Sequence, residues 1–158
     1  MHFLTESQRR CYEKIVPWMV ETFGPATFVH DAAPALTVMV GSAFAHTAVH
    51  PWGSDDAVIN TRAFVVSGAE LTAELTHYLL RQNADMLFGA FGLDAEGYIV
   101  FEHTIVGSTC DKEELRASVL AVVRTADEYD DQIVARWGGQ RALDQALGPR
   151  GNGQGQGS

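Results

Sequence analysis

The sequence predicts an α+β domain, with one twisted, mainly antiparallel sheet and helices packed on one side. Three observations predict it. Three capping signals, Thr5 with Gln8, Ser67 with Glu70 and Asp111 with Glu114, each precede apolar residues at helical spacing. Between them lie runs rich in Val, Thr, Phe and Ile, which suit strands. Links within each strand group are of hairpin length, which favours antiparallel pairing over crossovers. The resulting order is α-β-β-β-α-β-β-α.

The first helix follows Thr5, with Cys11, Ile15, Trp18 and Met19 on one face and Tyr12 and Val16 beside them. Pro17 lies inside it and is expected to kink or divide it. Gly24-Pro25 ends it. Three β-rich runs follow: residues 26–31, a long run at 36–50 with Gly41 as a bulge or bend, and 57–66 after the turn-rich "PWGSDD". The second helix is expected from Ser67, with Leu71, Leu75, Tyr78 and Leu79 on one face and an end near Asn83.

Strands resume at "LFGAFGL" and "YIVFEHTIV", joined by a turn at Asp94-Ala95-Glu96-Gly97. Asp111 opens the longest helix. Its stripe is Leu115, Val119, Val122, Ala126, Tyr129, Ile133 and Trp137, spaced three or four apart. Gly138-Gly139 stops it, and a short helical coda over "QRALDQAL" follows. Residues 1–147 are read as one domain. Residues 148–158, "GPRGNGQGQGS", have no apolar side chain to bury and are expected to form a flexible tail.

Charge narrows the function classes. The net charge is −9, which disfavours phosphate backbones and anionic lipid, so neither nucleic acid nor membrane is an expected partner. Ten of the twenty acids fall between Asp94 and Asp131. Asp127, Glu128, Asp130 and Asp131 are expected to face water, opposite the Tyr129 stripe. Two cysteines, Cys11 and Cys110, are too few for a disulfide framework. The N-terminus has no signal-peptide pattern, and the longest apolar stretch is interrupted by Pro34, Gly41 and Ser42. A reduced cytoplasmic setting is the expectation.

No catalytic, metal or cofactor set emerges. His46 and His50 are four apart on a strand, so their side chains stand about 13 Å apart, too far for one ion. Cys110 precedes a helix start, which lowers a thiol pKa, but Asp111, Glu113 and Glu114 oppose that. Glu102 and His103 look like an acid beside a base. Strand alternation puts them on opposite faces. Tyr98, Val100, Glu102, Thr104 and Val106 form one set, and the more apolar Ile99, Phe101, His103 and Ile105 should meet the helices.

Residues 88–139, "FGAFGLDAEGYIVFEHTIVGSTCDKEELRASVLAVVRTADEYDDQIVARWGG", resemble the YbjN-like proteins, which share the type III secretion chaperone-like fold. The resemblance rests on F-G-x-F, a hairpin, apolar-E-H-T and D-K-E-E-L. It implies a non-enzymatic protein, a peptide-binding chaperone or sensory transduction regulator, with homodimers the rule among the secretion chaperones. A single-layer sheet with helices on one side leaves its other face to be covered. Val38, Val40, Tyr98, Val100 and Val106 are the candidate partner or dimer surface, for a second copy or an apolar segment of another protein. Two other readings remain open. One is an enzyme site assembled across the fold from His30, His46 and Asp55. The other is a structural or regulatory dimer without a peptide client.

Overall fold

A computed structural model describes residues 1–147, so the predicted tail at 148–158 lies outside the described residues. Helix α1 (Glu6–Phe23) is capped by Thr5, whose hydroxyl accepts from the Gln8 amide at 3.1 Å. The Gln8 side chain serves tertiary structure as well. Its carbonyl accepts from the Leu4 amide at 2.8 Å, and its NH2 donates to the Val49 carbonyl at 2.7 Å. The helix runs through Pro17 as one element and is not divided.

Strands β1 (Thr27–Val29), β2 (Ala35–Val40), β3 (Ala43–Trp52) and β4 (Asp56–Ser67) follow. The run at 36–50 is therefore two strands rather than one. Gly41 is the turn between them, with φ +59°, a conformation side chains disfavour. The turn is pinned by the long helix. Asp127 accepts from the Ser42 amide at 2.6 Å and from its hydroxyl at 2.8 Å. A Cβ at position 41 would collide with the Asp127 carboxylate.

Helix α2 (Ala73–Asp85) begins five residues later than predicted, its cap at position 72 rather than 67. Thr72 caps it, accepting from the Leu75 amide at 3.1 Å. Ser67 is still strand, because it pairs with Gln140. Strands β5 (Ala90–Leu93) and β6 (Ile99–Val106) form the predicted hairpin. The Asp94 carboxylate accepts from the amides of Glu96 and Tyr98 within its turn. Helix α3 (Lys112–Trp137) starts at the predicted cap, with Asp111 accepting from the Glu114 amide at 2.8 Å. The predicted coda is a two-residue strand β7 (Gln140–Arg141) followed by helix α4 (Ala142–Leu147).

The strands form one antiparallel sheet in the order β1-β2-β3-β4-β6-β5, with β7 paired to the end of β4. Helices α1, α2 and α3 pack on one side. Two apolar clusters fill that interface. One joins Ile15 and Met19 of α1 to Leu36, Val38, Val49 and Ile59 of the sheet. The other joins Leu75 and Leu79 of α2 and Val122 and Ile133 of α3 to Phe91, Phe101 and Val65. The fully buried Thr47 and Thr61 share a hydrogen bond at 3.0 Å on this side, satisfying each other. Lys14 ties α1 to the β6–α3 turn by donating to the carbonyls of Gly107 and Cys110.

Candidate functional site

Register decides what the other face of the sheet presents, because residues directly opposite share a face. One row reads Phe28, Thr37, His46, Arg62, Glu102 and Ala90 across β1, β2, β3, β4, β6 and β5. The next reads Ala35, Ala48, Asn60 and Thr104, and a third His50, Val58 and Val106. On the other side of the polar row, Met39 pairs with Phe44, and Phe64 with Val100. Phe64 is 46% exposed and meets Tyr98 edge-on at 6.2 Å. The open face is therefore apolar at its Phe44–Phe64 end and polar across its middle.

The polar row is internally paired. Arg62 donates to Glu102 through Nε at 2.8 Å and forms an ion pair through its terminal nitrogen at 2.6 Å. Asn60 donates to Thr104 at 2.9 Å. His30 and His46 meet as an edge-on pair at 5.2 Å, with the Thr37 hydroxyl 2.8 Å from His30 Nε2 and 3.4 Å from His46 Nδ1. Burial, with the nearby His30, His50 and Arg62, holds His46 below the ordinary imidazole pKa. Asp55 does not join them. It lies in the β3–β4 turn and lines a separate pocket with Ser7, Arg10, Cys11 and Lys14. Among the described residues, no group of three or more His, Cys, Asp or Glu side chains is placed to hold a metal ion.

The predicted surface residues divide. Val100 and Val106 point to the open face, as does Tyr98 against Phe64, although Val100 is only 3% exposed. Val38 does not belong to it. It is fully buried in the α1 cluster, because Leu36, Val38 and Val40 alternate onto the helix side. Val40 is half-buried on that side, packed against both clusters. His103 is a core-edge histidine, with Nδ1 2.9 Å from the buried Ser118 hydroxyl, and burial lowers its pKa. Burial also pushes the Cys110 thiol up to about 11, which leaves it unreactive at neutral pH.

The acidic cluster does not simply face water. Asp130 is 2% exposed and accepts from the Ser42 hydroxyl at 2.6 Å. Burial raises its pKa, with the Ser42 hydrogen bond opposing. Its sequence position signals this, since it lies four residues after Ala126 and three before Ile133, on the core stripe.

A second surface lies at the β5 edge. Leu71, Leu80 and Leu93 rim a groove of about 250 Å³ floored by Leu75, Leu79 and Phe91. Leu80 is 65% exposed, and the neighbouring Leu87 94%. The edge itself is sealed at its centre. The Asn83 side chain accepts from the Phe91 amide at 2.7 Å and donates to the Phe91 carbonyl at 3.1 Å, taking the place of a strand. A partner would thus meet side chains here rather than extend the sheet. Leu80, Leu87 and Phe88 fall outside the predicted stripe of α2, which is the signal for this surface in the sequence.

The family described as "T3SS (YopN, CesT) and YbjN peptide-binding chaperone 1" matches residues 12–145. The chain belongs to this family of peptide-binding chaperones. No curated protein matches the chain. Among solved structures, the chain is similar to the ExsC–ExsE complex, with TM-score 0.62 and 12% identity over 82% of this chain and 97% of that chain. It is similar to the HopA1–SchA chaperone–effector complex, with TM-score 0.60 and 7% identity over 77% of this chain and 94% of that one. It is similar also to YbjN from E. coli, with TM-score 0.55 and 16% identity over 77% and 92%. At such identities the likeness shows the fold alone. No helix among the described residues is long and apolar enough to cross a membrane.

Proposed function

We propose that this protein is a non-enzymatic, cytoplasmic binding module that holds apolar segments of a partner protein and works as a homodimer. The observation that carries the reading is a pair of separate exposed apolar surfaces on a fold whose family binds peptides. The α2–β5 groove suits the second copy. Leu71, Leu80 and Leu93 are exposed on it, and Leu87 and Phe88 are exposed in the segment between α2 and β5. Burying one such side chain is worth about 1.5–3 kcal/mol. Association costs roughly 4–15 kcal/mol, so five of them are of the order a dimer needs. The open face, with Tyr98, Val106, Met39, Phe44 and Phe64, suits the client, with Val100 buried beneath them. There the paired Arg62 and Glu102 set polar points beside the apolar end, which would orient an extended segment.

Light scattering on a sizing column tests the first half. The wild type is expected to elute as a dimer, and Leu80→Asp with Leu93→Asp as a folded monomer. Fluorescence anisotropy against a library of labelled apolar peptides tests the second, with Phe64→Ala expected to weaken the peptides that bind. A monomeric wild type that binds no peptide would end the proposal.

A further inference from the structure

Helix α4 follows β7 onto the open face, where Ala142, Gln145 and Ala146 line a groove of about 230 Å³ with Phe44 and Phe64. Gln145 also borders the adjoining groove with Tyr98, Ser67 and Gly139. The helix therefore lies along the apolar end of the face assigned above to the client. It lies there loosely, since none of its six residues is buried and Leu147 points largely to solvent. Small alanines meet two phenylalanines, and Phe64 stays half-exposed beneath them. Arg141 anchors the helix. It reaches Asp144 through two hydrogen bonds at 2.8 and 3.1 Å and Asp131 of α3 at 3.1 Å.

We propose that α4 is a resident strap over the Phe44–Phe64 end of the open face, and that an apolar client segment takes this groove by displacing it. The proposal rests on the peptide-binding reading and adds its regulation. A segment carrying Leu, Ile or Phe where α4 carries Ala142 and Ala146 buries more apolar surface against the same rings, so it outcompetes the strap. The strap in turn keeps the two phenylalanines from non-specific association while no client is present.

The test uses the full chain and the apolar dye bis-ANS, so it needs no client. Arg141→Ala is expected to speed amide exchange in residues 142–147 and to raise dye fluorescence at least twofold. Adding Phe64→Ser should return it to the wild-type level. Ala146→Leu, which fills the groove, should lower dye binding and slow exchange. Faster exchange without added dye binding would overturn the proposal, because the helix would then cover nothing that binds. Unchanged exchange in Arg141→Ala would overturn it too, by removing the anchor. Failure of every peptide in the anisotropy assay would end the client reading and leave the dye result standing on its own.

Discussion

Along β4, Ile59, Thr61, Ala63 and Val65 are almost completely buried, whereas Asn60, Arg62 and Phe64 stand between them on the other face. The same contrast runs through β3, where Ala45, Thr47 and Val49 alternate with His46, Ala48 and His50. One face is aliphatic and dry, and even its two threonine hydroxyls bond each other. The other carries an ion pair, a histidine pair and a short aromatic end under a loosely held helix. Folding free energy comes from apolar area removed from water. The helix-covered face therefore holds the fold together, and the open face contributes far less to it.

The sharpest way to break this comparison is a phenylalanine on each face. Phe101 is fully buried and packs edge-on against Phe91 at 4.9 Å. Phe101→Ala is expected to cost about 3–5 kcal/mol in urea denaturation. Phe64→Ala should cost less than about 1 kcal/mol. Similar losses would make the open face a second core.

Gly41→Val comes next. It places a β-branched side chain at positive φ and displaces Asp127 from Ser42. Strain and lost hydrogen bonds together should cost about 2–4 kcal/mol. Thermal melts check the size, and amide exchange at Ser42 should rise with it. A neutral result would mean that α3 does not pin the β2–β3 turn.

The buried carboxyl Asp130 gives a smaller, pH-dependent effect. Its folded pKa lies above the ordinary value of 3.8 because of burial. The stability linked to that proton is complete below about 3.8 and is lost as pH rises through the raised value. The Asp131 charge also opposes ionisation, whereas the Ser42 hydroxyl, the Asp131 amide and Arg141 favour it without cancelling the effect of burial. Wild type should therefore lose stability relative to Asp130→Asn as pH climbs from about 4 towards 7. A flat difference between the two urea midpoints would place the carboxyl in water.

The smallest effect belongs to the exposed pair on the open face. Arg62→Ala should cost only about 0.2–1 kcal/mol, and less in high salt. A larger, salt-independent loss would show that the polar row supports the fold as well as facing a partner.

The legible parts share a short range. Asp111, Thr5 and the Asp94 turn were readable because each side chain bonds amides two to four residues away. The same kind of signal at Ser67 failed. There β7, arriving from far along the chain, claims Ser67 for the ladder, and Thr72 caps the helix instead. Val38 failed for a related reason. Alternation says that Leu36, Val38 and Val40 share a face but not which face, so the expected partner surface at Val38 and Val40 is overturned by packing against Ile15 and Met19 of α1. A carboxylate's preference for water argues for a solvent-facing Asp130. Its place between Ala126 and Ile133 outweighs that once Ser42 supplies a partner.

By itself the sequence determined the kinds of element, most of their order, two of the three long-helix caps and the opposition of Glu102 to His103. These follow from backbone periodicity and from hydrogen bonds within one turn. Only the tertiary structure decided where the long β run folds back, which face Val38 takes, and that Leu80 and Leu93 share one groove. It also decided that α4 lies over Phe44 and Phe64. Each of those depends on residues far apart in the chain, and their contacts exist only once the sheet has chosen its register.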